Sequence, residues 1–167
     1  TMGEERFDCY LKAFETDAPV SIRLNPEKAK ELTADGERVP WCRNAYYLPQ
    51  RPNFTYDPLL HAGCYYVQEA GSMFLDTVMQ QWVPQAPVVM IDFCAAPGGK
   101  SLLARTALAA GSLLFSNEPM RNRANILAEN VEKWGYADHF VTNNFPRDYR
   151  RAKMIADVVL CDVPCSG

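Results

Sequence analysis

No stretch of this 167-residue sequence stays apolar for long enough to cross a bilayer, and its first residues lack the charged-then-apolar pattern of an export signal. Histidine is scarce, with only His61 and His139, and neither has a second ligand nearby in sequence. No Cys-x-x-Cys pair occurs among the six cysteines at 9, 42, 64, 94, 161 and 165, so no zinc or other metal is expected. His61 with Cys64 reads as local packing. Scattered thiols without an export signal read as reduced cysteines, and the expected location is the cytoplasm. Excess positive charge is missing too: the formal net charge is −3, which argues against a broad basic surface for nucleic acid. A local basic track remains open. Arg121, Arg123, Lys133, Arg147, Arg150, Arg151 and Lys153 fall in the last third, a scatter that solvated helix and loop surface also explains.

What is present is an ordinary globular composition, 48% hydrophobic and 22% charged, with room for one domain or one domain and a small appendage. The most informative stretch is VVMIDFCAAPGGK, residues 88–100. Its apolar run, bounded upstream by Pro84 and Pro87, reads as a buried strand that Asp92 closes. Cys94, Ala95, Ala96, Pro97, Gly98 and Gly99 then make a turn of small residues before a new helical pattern begins at Lys100. Glycine lets a ligand approach where a side chain would block it, and the helix that follows presents unpaired N–H groups. The turn is a ligand cradle at the end of a strand, unless it is only a Gly-Pro turn between core elements.

Two cradles could fit. A phosphate-binding P-loop, G-x-x-x-x-G-K-[ST], matches at Gly99-Lys100-Ser101 but has Cys94 in place of its first glycine and loses a backbone donor at Pro97. A nucleoside-cofactor loop of the doubly wound type needs an acid some twenty residues on for the ribose hydroxyls. Glu118 stands at that distance from Gly98, just past the apolar run Leu113-Leu114-Phe115. The second reading keeps all its parts.

The rest of the chain supports a parallel sheet. Phe7, Tyr10, Leu11 and Phe14 recur at helical spacing over residues 4–15. Residues 21–24 read as a strand, and Asn25-Pro26 as the cap and first turn of a helix reaching about residue 32. Asn25 could also touch substrate, although capping accounts for it. Residues 34–63 are rich in turns and aromatics. There Trp41, Tyr46, Tyr47, Phe54 and Tyr56 sit among Arg38, Arg43 and Arg51. Such a mixture can stack unpaired bases, or form the core of a small irregular subdomain. Ala70, Met73, Phe74, Val78 and Trp82 predict a well-buried helix over residues 68–83. Helices over 100–110 and 124–134, ended by Gly111 and Gly135, alternate with strands at 113–116, 140–142 and 156–161. Four β–α units mean a parallel, doubly wound sheet. Its fourth strand leads to Asp162-Val163-Pro164-Cys165-Ser166-Gly167, placing an acid and a thiol beside the cradle. A thiolate there can add to an electrophilic carbon of a base, whereas an isolated cysteine is ordinarily a small buried residue.

DFCAAPGGK (92–100) and CDVPCSG (161–167) resemble the two signature motifs of the S-adenosylmethionine-dependent RNA 5-methylcytosine methyltransferases of the Sun/Nop family. SIRLN (21–25), RPNFTYDPLLHAGCYYVQEAGSMF (51–74) and the pattern of Asn117, Glu118 and Arg123 are similar as well, so the resemblance covers nearly the whole chain. It implies a Rossmann-like α/β methyltransferase domain over residues 68–167, preceded by a small α+β domain over residues 1–67. It also implies S-adenosylmethionine as cofactor and RNA, ribosomal RNA in particular, as partner. Cys94 to Lys100 would cradle the methionine end and backbone of the cofactor. Glu118 would hold the ribose hydroxyls, with Arg123 beside it. Asp162 would lie near the amino group and the sulfonium. In the family a cysteine in a Thr-Cys motif attacks carbon 6 of cytosine, and a second, matching Cys165, assists release of the product. The 167 residues contain no Thr-Cys pair, so the fragment is expected to bind cofactor without methylating. Its fourth strand is expected to be an open edge prone to self-association. The aspartate that the family carries after the third strand, for the adenine amino group, is replaced here by Asn144 or Phe145, and Asn144 could bond the adenine edge through its amide. Gly71 stands where the family commonly has serine.

Overall fold

The structure, a computed structural model, describes residues 2–30, 34–153 and 155–163. Helix α1 (Glu4–Ala13) is followed by strands β1 (Val20–Leu24), β2 (Glu37–Arg38) and β3 (Ala45–Leu48), a short helix α2 (Pro58–His61) and strand β4 (Tyr65–Val67). A 3₁₀ turn at Gly71–Phe74 runs into helix α3 (Leu75–Trp82). Strands and helices then alternate as β5 (Val89–Asp92), α4 (Gly99–Ala107), β6 (Leu113–Asn117), α5 (Arg121–Trp134), β7 (His139–Thr142), α6 (Tyr149–Ala152) and β8 (Val158–Leu160). The first four strands pair antiparallel in the order β2-β3-β1-β4. The last four pair parallel in the order β7-β6-β5-β8. The sheet therefore reverses direction of growth at β5, and the crevice outside the carboxyl ends of β5 and β8 is where such sheets take ligands.

The strands of the parallel sheet are short apolar runs because helices cover them. Met90 and Leu114 are buried and share a core with Met79 of α3 and Leu103, Ala104 and Leu108 of the α4 region. Val39, Cys42 and Ala45 enter the same core from the segment around β3. The antiparallel region thus packs directly on the parallel one.

A second contact between the two regions is polar. The last carbonyls of α5 have no partners within the helix. Asn25, fully buried, donates through Nδ2 to Trp134 O (2.8 Å) and to Gly63 O (3.1 Å), while its Oδ1 accepts from Glu27 N (3.0 Å). Lys28 Nζ donates to Lys133 O and Ala62 O, placing a cation at the negative end of the helix. Gly63 lies so close that a Cβ on it would sit 1.9 Å from Lys133 O, and its φ of +71° suits glycine alone. Arg23, 2% exposed, stacks 4.7 Å above the Trp134 ring and donates to Gln68 Oε1 (3.2 Å) and Gly99 O (3.3 Å). Burial lowers its guanidinium to about 10, still cationic at neutral pH.

Two expectations are corrected. In place of the helix after Asn25 the described residues form turns at 26–28, although Asn25 Oδ1 accepts from Glu27 N as a cap would; residues 31–32 of the expected helix lie outside the described residues. The segment over 68–83 is not well buried throughout: Ala70, Met73 and Met79 are, but Phe74, Val78 and Trp82 are exposed by 54%, 39% and 74%. The turn-rich stretch 34–63 contains β2, β3 and α2, and α1 buries none of its apolar stripe among the described residues.

Asn25→Ala leaves two carbonyls, Trp134 O and Gly63 O, without partners in a dry interior. Each such orphan costs about 1–3 kcal/mol, so the loss of unfolding free energy is on the order of 3 kcal/mol. Urea melts of the two proteins check this, and a difference below about 0.5 kcal/mol, the size of an ordinary surface substitution, contradicts the assignment.

Candidate functional site

The loop between β5 and α4 is held from several sides. Asp92, buried at the end of β5, accepts from Ser101 Oγ (2.6 Å) and from Cys94 N (3.3 Å), so strand end, loop and helix are tied by one carboxylate. Burial raises the Asp92 carboxyl, and those two hydrogen bonds oppose the rise. Ala95 and Ala96 turn their methyl groups into a core with Leu102, Leu127, Val131 and Trp134. Pro97, exposed, presents its carbonyl to Asn130 Nδ2 of α5 (2.8 Å). Gly98 adopts φ +122°, and its carbonyl accepts from Leu102 N (2.8 Å) as α4 begins. Gly99 faces Tyr66 and Gln68, 3.3–3.4 Å from where a Cβ would be. The small residues therefore serve close approach on both sides of the loop.

Glu118 follows β6 and is 2% exposed. Its backbone N–H bonds Thr142 O of β7 (3.0 Å), and Oε1 accepts from Met120 N (3.0 Å). Oε2 is buried without a hydrogen-bond partner, 3.6 Å from Arg123 Nη2. That same nitrogen donates to Ala96 O (2.9 Å), so Arg123 both balances the carboxylate and pins the loop. A buried carboxylate oxygen with a free lone pair fits a hydroxyl donor such as a ribose diol, and repels a polyphosphate. The geometry thus suits a nucleoside cofactor better than a P-loop nucleotide.

Lys100 Nζ meets Asp162 Oδ2 at 2.6 Å across the mouth of the crevice. The two residues, with Tyr66, Gln68, Glu69, Asp92 and the loop from Cys94, line a cavity of about 250 Å³. Cys94 is half-buried, and burial together with Glu118 and Asp92 pushes its thiol up, so it stays protonated and is a poor nucleophile at neutral pH. Cys165 lies outside the described residues.

The structure thus brings Cys94, Ala95, Ala96, Pro97, Gly99, Lys100 and Asp162 around one cavity, with Gly98 turned towards α5 and Glu118 and Arg123 behind the loop. Asn144 stands apart. Its side chain is exposed beside Asp148, Tyr149 and Arg151, while its backbone is gripped by Asn117 through N–H to Oδ1 (3.0 Å) and carbonyl to Nδ2 (2.9 Å). Its neighbour Asn143 donates to the carbonyls of Glu118 (2.7 Å) and Pro119 (3.0 Å), holding the turn that carries the acid. Sequence reasoning did not single out Tyr66, Gln68, Glu69 or Ser72 as cavity-lining residues. Their signal was the polar pair Gln68-Glu69 directly after the apolar-aromatic strand Tyr65–Val67, where Glu69 caps the next turn through Gly71 N (2.6 Å) and Ser72 N (2.7 Å).

Two family models match the chain: the N-terminal domain of 16S rRNA methyltransferase RsmF over residues 1–70, and 16S rRNA methyltransferase RsmB/F over residues 79–167. A ribosomal RNA small subunit methyltransferase F of Shewanella piezotolerans is 30% identical over 161 residues, 88% of this chain and 34% of the relative. The chain therefore spans about a third of the length of that curated relative. A methyltransferase homolog from Pyrococcus horikoshii superposes with a TM-score of 0.75 over 93% of this chain and 53% of that one, at 23% identity, which supports the fold. NSun6 from the same organism, solved with SFG, gives a TM-score of 0.61 at 26% identity over 69% of this chain and 29% of that one.

Gly98→Ala tests the cradle. A Cβ at φ +122° is strained and would meet Leu127 Cδ1 at 3.3 Å, at a cost of about 1–3 kcal/mol. The melting temperature should fall by several degrees, and an unchanged melt would show that the loop is not held as described.

Proposed function

We propose, for a chain that belongs to the 16S rRNA methyltransferase RsmB/F family, that it forms the cofactor-binding part of an enzyme making 5-methylcytosine in ribosomal RNA with S-adenosylmethionine. The observation that carries this reading is the buried, partnerless Oε2 of Glu118 beside a small-residue loop at the end of the first parallel strand. When bound, S-adenosylmethionine supplies an electrophilic methyl group on a sulfonium. Glu118 would accept hydrogen bonds from the two ribose hydroxyls, the loop from Cys94 to Gly99 would run along the methionine portion, and Asp162 would face its amino group. Lys100, paired with Asp162 at 2.6 Å, holds that carboxylate in place. Asn144 would offer its amide to the adenine edge.

For the base the reading is finer. Carbon 5 of cytosine is a weak nucleophile, and addition of a cysteine at carbon 6 makes it a strong one. A cytosine must leave its stack to be reached from both faces. Cys94 is unsuited to the attack, being protonated and part of the loop, and Cys165 is assigned to assisting release of the product. The attacking cysteine is assigned to a Thr-Cys motif, which these 167 residues do not contain. The boundary near residue 67 between the antiparallel and parallel regions, and a location in the cytoplasm, belong to the same reading.

Calorimetric titration with S-adenosylmethionine, with Glu118→Gln in parallel, tests it. The substitution keeps the shape of the side chain but removes a charged acceptor, so affinity should drop by about 1–3 kcal/mol, roughly 5- to 150-fold. Equal affinity for both proteins, or tighter binding of ATP than of S-adenosylmethionine, would overturn the reading.

A further inference from the structure

The aromatic and arginine-rich stretch between β1 and β4 is sorted by the structure. Tyr46 is buried in the antiparallel core, and Phe54 packs against that core, so both are spent on folding. Trp41 packs against the other core but stays partly exposed, and Arg38 and Arg43 are exposed. They line a separate cavity of about 490 Å³, a size within the usual range of ligand sites, whose opposite wall is α3 through Thr77, Gln80 and Gln81.

The wall is rigid where rigidity would matter. Trp41 Nε1 donates to Ala70 O (2.7 Å) and Trp41 O accepts from Thr77 Oγ1 (3.0 Å), which fixes the indole. Buried Asp76 accepts from Arg43 N (3.2 Å) and lies 3.8 Å from Arg43 Nε, while the side chain of Arg43 remains 63% exposed. Arg38 leans over the Tyr46 ring at 5.6 Å. Gln80 and Gln81 are exposed and, among the described residues, neither carboxamide has a hydrogen-bond partner. The acid nearest in sequence to Arg38, Glu37, points to the opposite side of the strand by alternation. An aromatic face, two cations and two free carboxamides are the components of a site for an unpaired nucleotide: stacking, phosphate contacts and hydrogen bonds to a base edge.

We propose that this cavity is a second RNA site, taking one unpaired nucleotide of the substrate strand at a distance from the reacting base. Ser72, in the 3₁₀ turn beside the cofactor cavity, and Gln80 of α3 lie on one continuous helical path, so the walls of the two cavities are roughly 12–14 Å apart along it, a span of a few nucleotides. The assignment rests on the RNA methyltransferase reading above and adds to it where the strand runs. It also reconciles an acidic chain with an RNA substrate: contact is local, through two arginines, instead of spread over a basic face.

The test is fluorescence anisotropy with a short labelled single-stranded RNA at several salt concentrations, on the wild-type chain, Arg38→Ala/Arg43→Ala and Gln80→Glu/Gln81→Glu, each also titrated with S-adenosylmethionine. Two lost phosphate contacts should flatten the salt dependence by about 1.4, at about 0.7 per contact, and weaken binding at least tenfold at low salt. The glutamate pair removes no contact within the protein, so it decides the matter should loss of Arg43 unsettle Asp76. It too should weaken RNA binding tenfold or more. Cofactor affinity should match wild type throughout. Wild-type RNA affinity and salt slope in both variants would overturn the second site and leave the methyltransferase reading standing. A wild-type chain that binds cofactor and no RNA would overturn both the site and the RNA assignment.

Discussion

The carbonyls that α5 cannot satisfy within itself are the constraint on which the rest of the molecule depends. Their partners come from the other end of the sequence, Asn25 and Lys28, and the close fit at Gly63 leaves no room for a side chain in between. The C-terminal end of one helix is thereby made the seat of the antiparallel sheet. Along its length the same helix meets the loop between β5 and α4 through Asn130 and Leu127, and at its start it carries Arg123 beside Glu118. One rod of fourteen residues therefore sets the loop, the acid behind the loop and the lobe that covers it.

Buried charge in this arrangement is balanced locally. Glu118 is offset by Arg123, and Asp92 is stabilised by a hydroxyl and an N–H. Arg23, deep between the two regions, rests on the Trp134 ring and on two acceptors. Of the buried side-chain atoms without a hydrogen-bond partner among the described residues, which include Arg23 Nη1, Glu118 Oε2 is the acceptor beside the loop, and an unmatched buried acceptor is costly unless a ligand completes it. On the proposed reading that oxygen is open to a hydroxyl donor, because the neighbouring groups are already committed elsewhere.

Much of this was legible in the sequence because it is local. The strand–small-residue turn–helix at 88–100, the acid twenty residues on, and the helix ended by Gly135 each declare themselves through periodicity and turn chemistry, and the parallel sheet appears as expected. What was not legible depends on partners distant in sequence. Asn25 looked like a helix cap, since a capping asparagine and one bonding a helix 109 residues away are the same residue in the same short context. Phe74, Val78 and Trp82 looked like core because periodicity tells which residues share a face and not whether anything covers it. The strands within 34–63 are two and four residues long, too short to alternate visibly among prolines and glycines. Gln68 and Glu69 became site residues only when the antiparallel sheet folded onto the loop.

Whether Glu118 completes a nucleoside site with the loop between β5 and α4 is decided by a crystal structure of the chain with S-adenosylmethionine. The ribose hydroxyls should lie within hydrogen-bond distance of the Glu118 carboxylate, with the methionine end along residues 94–99 and in the cavity bounded by Lys100 and Asp162. A ligand bound in another cavity, or one in the crevice with its ribose turned away from Glu118, would contradict the account.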